Sequence, residues 1–287
     1  MQPPALSAVL PWLRCPLCAG ALSASGATLH CAQGHSFDLA RQGYVTLGTG
    51  SRGPGTADTA SMVAARARFL GGGHYRRIAD GISALAAQFV PRSAAGIVVD
   101  LAGGTGYYLA RTLELLPDHY GLCVDLSGPS LRRAARAHPR IAALGSDIWA
   151  PLPLTDDSVA LALSVFGPRN IPEIERMLTP GGHLLVATPL ADHLGELIEP
   201  LGMLSVDRNK AERLATGLAR FSLVGEQQLR YQLEIDHSDL AALVAMGPSA
   251  HHAPASAVAE RLHLLPDPAP VTVSVRLAVY RIAHGTG

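Results

Sequence analysis

Cys15, Cys18, Cys31 and His35 place the tightest constraint on how this chain can fold. The spacing is C-x2-C, twelve intervening residues, then C-x3-H. Thiolates and an imidazole at this spacing can close a tetrahedron around zinc, so two short knuckles must face each other. Three of the four cysteines are used in this way. The fourth, Cys123, lies in an apolar run and reads as a small core residue. His30 is the spare imidazole. It alternates with Cys31 on a strand and should point away from the metal. Residues 12–47 thus read as a zinc-ribbon-like module, with short strands at 27–29 and 44–47 pairing within it. So small a module cannot bury enough apolar surface alone, and metal binding is expected to supply much of its stability.

The whole chain has 287 residues, 48% of them hydrophobic, enough for one large domain or two smaller ones. Charge balances at 23 basic against 23 acidic residues, which by itself argues against a nucleic-acid partner. The balance hides an asymmetry. Residues 1–80 hold seven arginines and three aspartates, a net charge of +4, where a phosphate backbone could be held. No basic segment followed by an apolar stretch suggests a signal peptide, and no run of about 18 apolar residues suggests a membrane span. Few cysteines, spaced for metal, fit a reducing cytoplasm.

Three segments follow from pattern: the zinc module at 1–47, a linker and two helices at 48–92, and a third domain at 93–287. Residues 48–57 are rich in Gly, Ser, Thr and Pro. Asp58 is the expected N-cap of a helix to Leu70, stopped by Gly71-Gly72-Gly73, and a second helix runs over 74–89. From residue 97 short apolar runs at 97–101, 121–126, 141–144, 159–166 and 183–188 alternate with helical stretches near 107–116, 128–137 and 171–178. That alternation means an α/β fold with a doubly wound, mostly parallel sheet. Runs at 229–235 and 271–282 are expected to pair antiparallel at its edge, and 191–222 to form a helical insertion over the site.

Asp100-Leu101-Ala102-Gly103-Gly104-Thr105-Gly106 sits where the first of these strands becomes a helix. It resembles the D-x-G-x-G-x-G loop of class I S-adenosylmethionine-dependent methyltransferases. Ala102 stands where most members have glycine. Its small side chain predicts little effect unless the position demands positive φ. Asp125, ending the next strand, can accept both ribose hydroxyls. Asp147, after the third, stands where such enzymes place a partner for the adenine amino group. Pro180-Gly181-Gly182 is a family-typical turn before the fifth strand.

Taken together, the Cys15-Pro16-Leu17-Cys18 knuckle, Cys31 to Leu47, Asp58 to Tyr75, the loop through Gly106-Tyr107-Tyr108, and Ala187-Thr188-Pro189 to Leu197 resemble the 23S rRNA (guanine-N1)-methyltransferases. This is the family of the tylosin- and mycinamicin-resistance enzymes, and the likeness covers about residues 10–200. Membership implies methyl transfer from S-adenosylmethionine to N1 of a guanine in a 23S rRNA hairpin loop near the peptide exit tunnel. It also implies bound zinc, a homodimer whose zinc modules help form an RNA cleft, and, for this subfamily, macrolide resistance. The resemblance further implies that Tyr75, Tyr108, Leu109 and His193 lie near the cofactor with Asp100, Ala102, Gly103, Gly104, Gly106, Asp125 and Asp147.

The nucleophile, guanine N1, must lose a proton and align with the methyl group. The place to look is the end of the fourth strand, Phe166 to Asn170. There Arg169 is expected to offset charge on guanine O6, Asn170 to read the base edge, and Phe166 to stack on a flipped base. His193 is the candidate proton acceptor. Arg14, Arg41, Arg66 and Arg68 are the candidate phosphate contacts. The rival reading is a small-molecule methyltransferase, such as a natural-product tailoring enzyme, with a structural zinc module. A second rival is a binding protein that keeps the fold without catalysis.

Overall fold

The computed structural model describes residues 3–48, 57–203, 217–247 and 255–283. Most of the 48–57 linker and the middle of the 191–222 insertion lie outside them. A long sheet organises the rest. Its strands, in chain order, are β4 (Tyr44–Thr46), β5 (Ile97–Leu101), β6 (Gly121–Asp125), β7 (Ile141–Gly145), β8 (Val159–Val165), β9 (Leu178–Pro189), β10 (Phe221–Ile235) and β11 (Ala269–Ile282). Their spatial order is β10-β11-β9-β8-β5-β6-β7-β4. The strands from β4 to β9 pair in parallel, while β11 is antiparallel to both β9 and β10. The sheet is therefore mixed, mostly parallel and doubly wound, with the antiparallel edge that the late β-like runs predict.

The strand order explains where a ligand can bind. From β5 the chain first adds strands on one side, β6 and β7, and then returns to add β8 and β9 on the other. At that switch point the connections leave in opposite directions and open a crevice beyond the strand ends. Helices cover both faces. On one face α2 (Ala60–Gly71), α3 (Arg76–Phe89), α4 (Tyr107–Leu115) and α5 (Gly128–Ala137) bury Phe69, Ile78, Ile82, Leu109, Leu113 and Leu131. The other face is covered by α6 (Ile171–Met177) and by the N-terminal segment.

The N-terminal segment departs from the expected organisation. Helix α1 (Pro4–Val9), which the sequence reading missed, puts Ala5, Leu6 and Val9 against Leu122, Val124, Ala142 and Leu144. The finger itself is a small antiparallel sheet of β1 (Leu22–Ser25), β2 (Thr28–Cys31) and β3 (Ser36–Asp38). Strand β4 does not pair as part of that sheet. It joins the large sheet beside β7, with Val45 and Leu47 both buried. The pairing is possible because Gly145 has no side chain: a Cβ there would lie 2.7 Å from Thr46 Oγ1. Leu13 bridges Leu154, and the Arg14 N–H donates to the Pro153 carbonyl. The finger and the α/β layer share one apolar core.

Two smaller corrections concern helix and strand ends. The N-cap of α2 is Thr59, whose hydroxyl accepts from the Met62 N–H, because Asp58 is drawn instead to the Arg66 guanidinium. Pro180-Gly181-Gly182 does turn, with Gly181 at φ +83° and the stretch from Leu178 to His183 set against only Val159 to Leu161, but within the bounds of the strand and not ahead of it. It is taken up inside β9, where a Cβ on Gly182 would stand 2.8 Å from the Val159 carbonyl oxygen.

Candidate active site and zinc centre

At the finger, the four sequence-predicted ligand atoms lie within 4.8 Å of one another. His35 presents Nδ1, 3.3 Å from Cys31 Sγ and 3.5 Å from Cys15 Sγ, and Cys18 Sγ lies 3.6 Å from Cys31 Sγ. Burial alone would raise the Cys31 thiol. Backbone N–H groups of Gln33 and His35 aim at its sulfur and, with the neighbouring thiols, bring its pKa down to about 6. Three thiols and an imidazole converging on one point suit tetrahedral zinc. His30 is not in this group, and Cys123 is buried far along the chain in β6.

At the switch point, the turn after β5 is shaped by what lies beneath it. A Cβ on Gly103 would stand 2.7 Å from the Asp100 carboxylate and 2.8 Å from Cys123 Sγ. Gly106, at φ +74°, begins α4 and lets that helix rest on α5 at Ala134. Asp125 braces the loop: its Oδ2 accepts from the Gly104 N–H at 2.9 Å and its Oδ1 from the Ser127 N–H at 2.7 Å. Ala102 has φ +53°, the left-handed region that disfavours a Cβ. The expectation that alanine is harmless there is therefore corrected.

Asp100 is the electrostatic centre of this loop. It is 1% exposed, and its Oδ2 has no hydrogen-bond partner among the described residues. Burial, aided by the nearby Asp125, raises its pKa to about 8. A buried carboxyl with an orphaned oxygen under a glycine-rich turn suits a ligand that brings positive charge or donors. S-adenosylmethionine, with its ammonium group and two ribose hydroxyls, fits this donor set. Asp147 lies beyond β7, where its Oδ1 accepts from the Trp149 N–H.

Beside the loop stands a group of aromatic rings. Tyr75 meets Phe69 edge-on at 5.0 Å, and its ring centre is 6.1 Å from both Phe166 and His193. Phe166, held at φ +56°, stacks on His193, and Tyr108 meets it edge-on at 6.4 Å. His193 Nδ1 accepts from the Ser274 N–H at 3.1 Å, and Nε2 lies 3.3 Å from the Tyr75 hydroxyl. Burial lowers the His193 pKa to about 4, although Asp192 and Glu196 pull the other way. The ring is therefore neutral near pH 7. With Nδ1 accepting, its proton sits on Nε2. Both nitrogens are committed, so the structure does not present His193 as a free proton acceptor.

Several expected contacts lie elsewhere. Leu109 is fully buried on the core side of α4 and packs where Gly121 leaves room, away from the loop. The Arg169 Nη1 is enclosed without a partner among the described residues, and the ionisable group that bears on it is Tyr280, in the core on the opposite face from Tyr75. Asn170 spends its amide N–H groups on the Ile148 and Trp149 carbonyls, so it holds the segment after Asp147 in place.

The basic candidates also separate. Arg66 bonds to Asp58 and to the Met246 carbonyl, and its Nη1 would lie 3.0 Å from a Cβ on Gly104. It therefore covers the cofactor loop and is not a free phosphate contact. Arg68 pairs with Asp239, which also takes a hydrogen bond from His74. Arg14 donates to the Pro11 and Leu13 carbonyls. Arg41 is exposed. Phe69 and the Asp58–Arg66 pair are site neighbours that sequence reasoning did not place. Their signal was their place in the Asp58 to Tyr75 stretch that carries part of the family resemblance.

The topology, the glycine loop with its two aspartates, and the three-cysteine, one-histidine knuckle define a class I methyltransferase carrying an N-terminal zinc ribbon. Residues 13–47 match the zinc-ribbon family described as RlmA, N-terminal. The chain is 49% identical over 276 residues to the 23S rRNA (guanine(748)-N(1))-methyltransferase of Streptomyces fradiae, covering 95% of this chain and 98% of the relative. It is 46% identical over 290 residues to a Micromonospora griseorubida protein assigned to the 23S rRNA (guanine-N(1)-)-methyltransferases, again covering 95% and 98%. The chain belongs to the 23S rRNA (guanine-N1)-methyltransferase family. Among solved structures, the methyltransferase bound to the Haloferax volcanii Trm112 activator aligns with TM-score 0.50 at 22% identity, covering 80% of this chain and all of that one. That likeness concerns the fold alone.

Proposed function

We propose that this enzyme transfers a methyl group from S-adenosylmethionine to N1 of a guanine in a 23S rRNA hairpin loop, and that the modification confers macrolide resistance. The 49% identity to the Streptomyces fradiae enzyme, over 95% of this chain and 98% of that one, carries this reading. The cofactor supplies an electrophilic methyl on a sulfonium. The chain's own residues bind and align. Asp100 and the 103–106 turn hold the amino-acid end, Asp125 the ribose and Asp147 the adenine edge. Tyr75, Tyr108 and His193 wall the space beside them. Phe166, at the end of β8, is placed to stack on the target guanine.

No side chain of the aromatic cluster is a free base. His193 is committed at both nitrogens, and burial pushes the Tyr75 hydroxyl well above its usual range. We assign the catalytic advantage to alignment of N1 with the methyl group, with the N1 proton passing to solvent. The zinc ribbon orients the RNA, and the working unit is a homodimer in the cytoplasm.

The test is primer extension on 23S rRNA and on hairpin transcripts after incubation with protein and S-adenosylmethionine, with labelled methyl offered in parallel to free metabolites. A new stop at one guanine is expected. Label entering small molecules and not RNA would replace this reading with the tailoring-enzyme one.

A further inference from the structure

An open cleft of about 690 Å³ lies between the start of α2, the face of α5 and the turn that precedes β4. Gln42 and Val63 form two of its sides, and Arg132, Arg133 and Arg136 form the third. Helix α5 turns Leu131 and Ala134 into the core and leaves these three arginines exposed. Among the described residues the lining contains no acidic one, and the chain has no carboxylate between Asp125 and Asp147. Arg41, beside Gln42 in the turn, is also exposed. The turn lies close to α5, since a Cβ on Gly43 would lie 4.0 Å from Ala135 Cβ. One wall thus comes from the exit of the zinc ribbon and the other from the methyltransferase domain.

We propose that this cleft is a docking groove for the RNA backbone, with Arg132, Arg133 and Arg136 as phosphate contacts. The inference rests on the rRNA-methyltransferase reading and deepens it. Guanidinium forks match phosphate oxygens, and Arg132 and Arg136, one turn apart, are separated by about 6 Å along the helix, so both can follow one strand. The cleft adjoins Asp125 and Ser127 through Pro129, so RNA held there lies next to the cofactor crevice. From β7 to β8, where Phe166 stands, is three strand spacings, about 14 Å, a span a hairpin loop can bridge. The signal was present in the sequence as Arg132-Arg133-Ala134-Ala135-Arg136, but it falls in the part of the chain whose net charge is negative.

The experiment compares wild type, the triple variant R132A/R133A/R136A, and a control triple, R92A/R220A/R281A, made elsewhere on the surface. Hairpin RNA affinity is measured from 0.05 to 0.3 M salt, with kcat at saturating RNA and the melting temperature beside it. Removing three phosphate contacts should weaken binding on the order of 50-fold at 0.15 M salt and flatten the log–log salt slope by about 2. kcat, cofactor affinity and melting should stay near wild type, and the control should keep its affinity. Unchanged affinity and slope in the triple variant, with wild type still methylating RNA, would overturn the groove alone. Equal losses in the control would do the same. Absence of RNA methylation by wild type would overturn the functional reading beneath it.

Discussion

His193 Nε2 lies 3.3 Å from the Tyr75 hydroxyl, while the Ser274 N–H occupies Nδ1 from the other side. The imidazole is thereby held as a neutral donor, a positioning residue and not a base. His193→Asn retains an acceptor for Ser274 and should keep kcat within about 10-fold of wild type, whereas loss of a true general base costs about 10²–10⁴-fold. The pKa of about 4 also keeps the ring neutral through pH 5, so the kcat profile should show no inflection from His193 between pH 5 and 7. Because its folded pKa lies below the unfolded value, the unfolded chain takes the proton first. Stability should decline as pH falls from about 6.5 toward 4. A kcat inflection near pH 6.5 that disappears in His193→Asn would refute the assignment.

Asp100 gives the opposite sign. With its pKa raised to about 8, the free protein holds this carboxyl protonated at pH 7. Its folded value lies above the unfolded one, so its contribution to stability is full below about pH 4 and lost as pH rises through 8. A cofactor ammonium favours the ionised form, so binding at pH 7 should release close to one proton and affinity should tighten as pH rises from 6 to 8. Calorimetry in buffers of different ionisation enthalpy measures the proton directly. Asp100→Asn should bind more weakly and lose both the proton release and the pH dependence. Binding without proton release in wild type would show that the carboxyl is already ionised.

How far the sequence foretold this arrangement depended on whether a feature was local. The alternation from residue 97 and the glycine loop are encoded in neighbouring residues, and the strands fall within a residue or two of expectation at β5 to β8. The four zinc ligands were legible because their chemistry is spacing-dependent. Strand β4 was not, because three residues pair as readily with a ribbon as with β7. Its partner, β7, lies about a hundred residues on, where Gly145 leaves room for Thr46. Asn170 sits where the family logic looks for chemistry, but the carbonyls at 148 and 149 claim its amide, while Arg169 is half-buried with Tyr280 as the ionisable group that bears on it. Side-chain partners across the sheet leave no periodic trace.

Ala102 offers a local test of strain. Its φ of +53° costs an alanine about 1–2 kcal/mol, while glycine pays a smaller entropic penalty in the unfolded chain. Its methyl also packs, partly buried, against the core under the N-terminal segment, a contact that glycine forfeits. The net expectation for Ala102→Gly is a gain of about 0.5–1 kcal/mol, a rise of a few degrees in melting temperature, with cofactor affinity equal or better. Ala102→Val adds a branched side chain at positive φ and should lower melting and weaken cofactor binding together. A drop in melting on Ala102→Gly would mean that the methyl's packing outweighs the strain.

Zinc removal should act locally, in a sequence dictated by the shared core. Native mass spectrometry should find one zinc per chain, lost in Cys18→Ser and Cys31→Ser. Without metal, the three short strands of the finger keep only Leu22 and Leu29 in the shared core, and amide exchange over residues 15–38 should become fast. Strand β4 and helix α1 should keep more protection, because they are anchored in the large sheet and its core through Val45, Leu47 and Leu6, not in the finger. Cofactor binding should survive chelation, since none of the four ligands touches the 100–106 loop, while methylation of hairpin RNA should fall by at least 10-fold. Equal loss of protection across 4–47 would show that the metal, and not the core, holds the N-terminal segment on the methyltransferase layer.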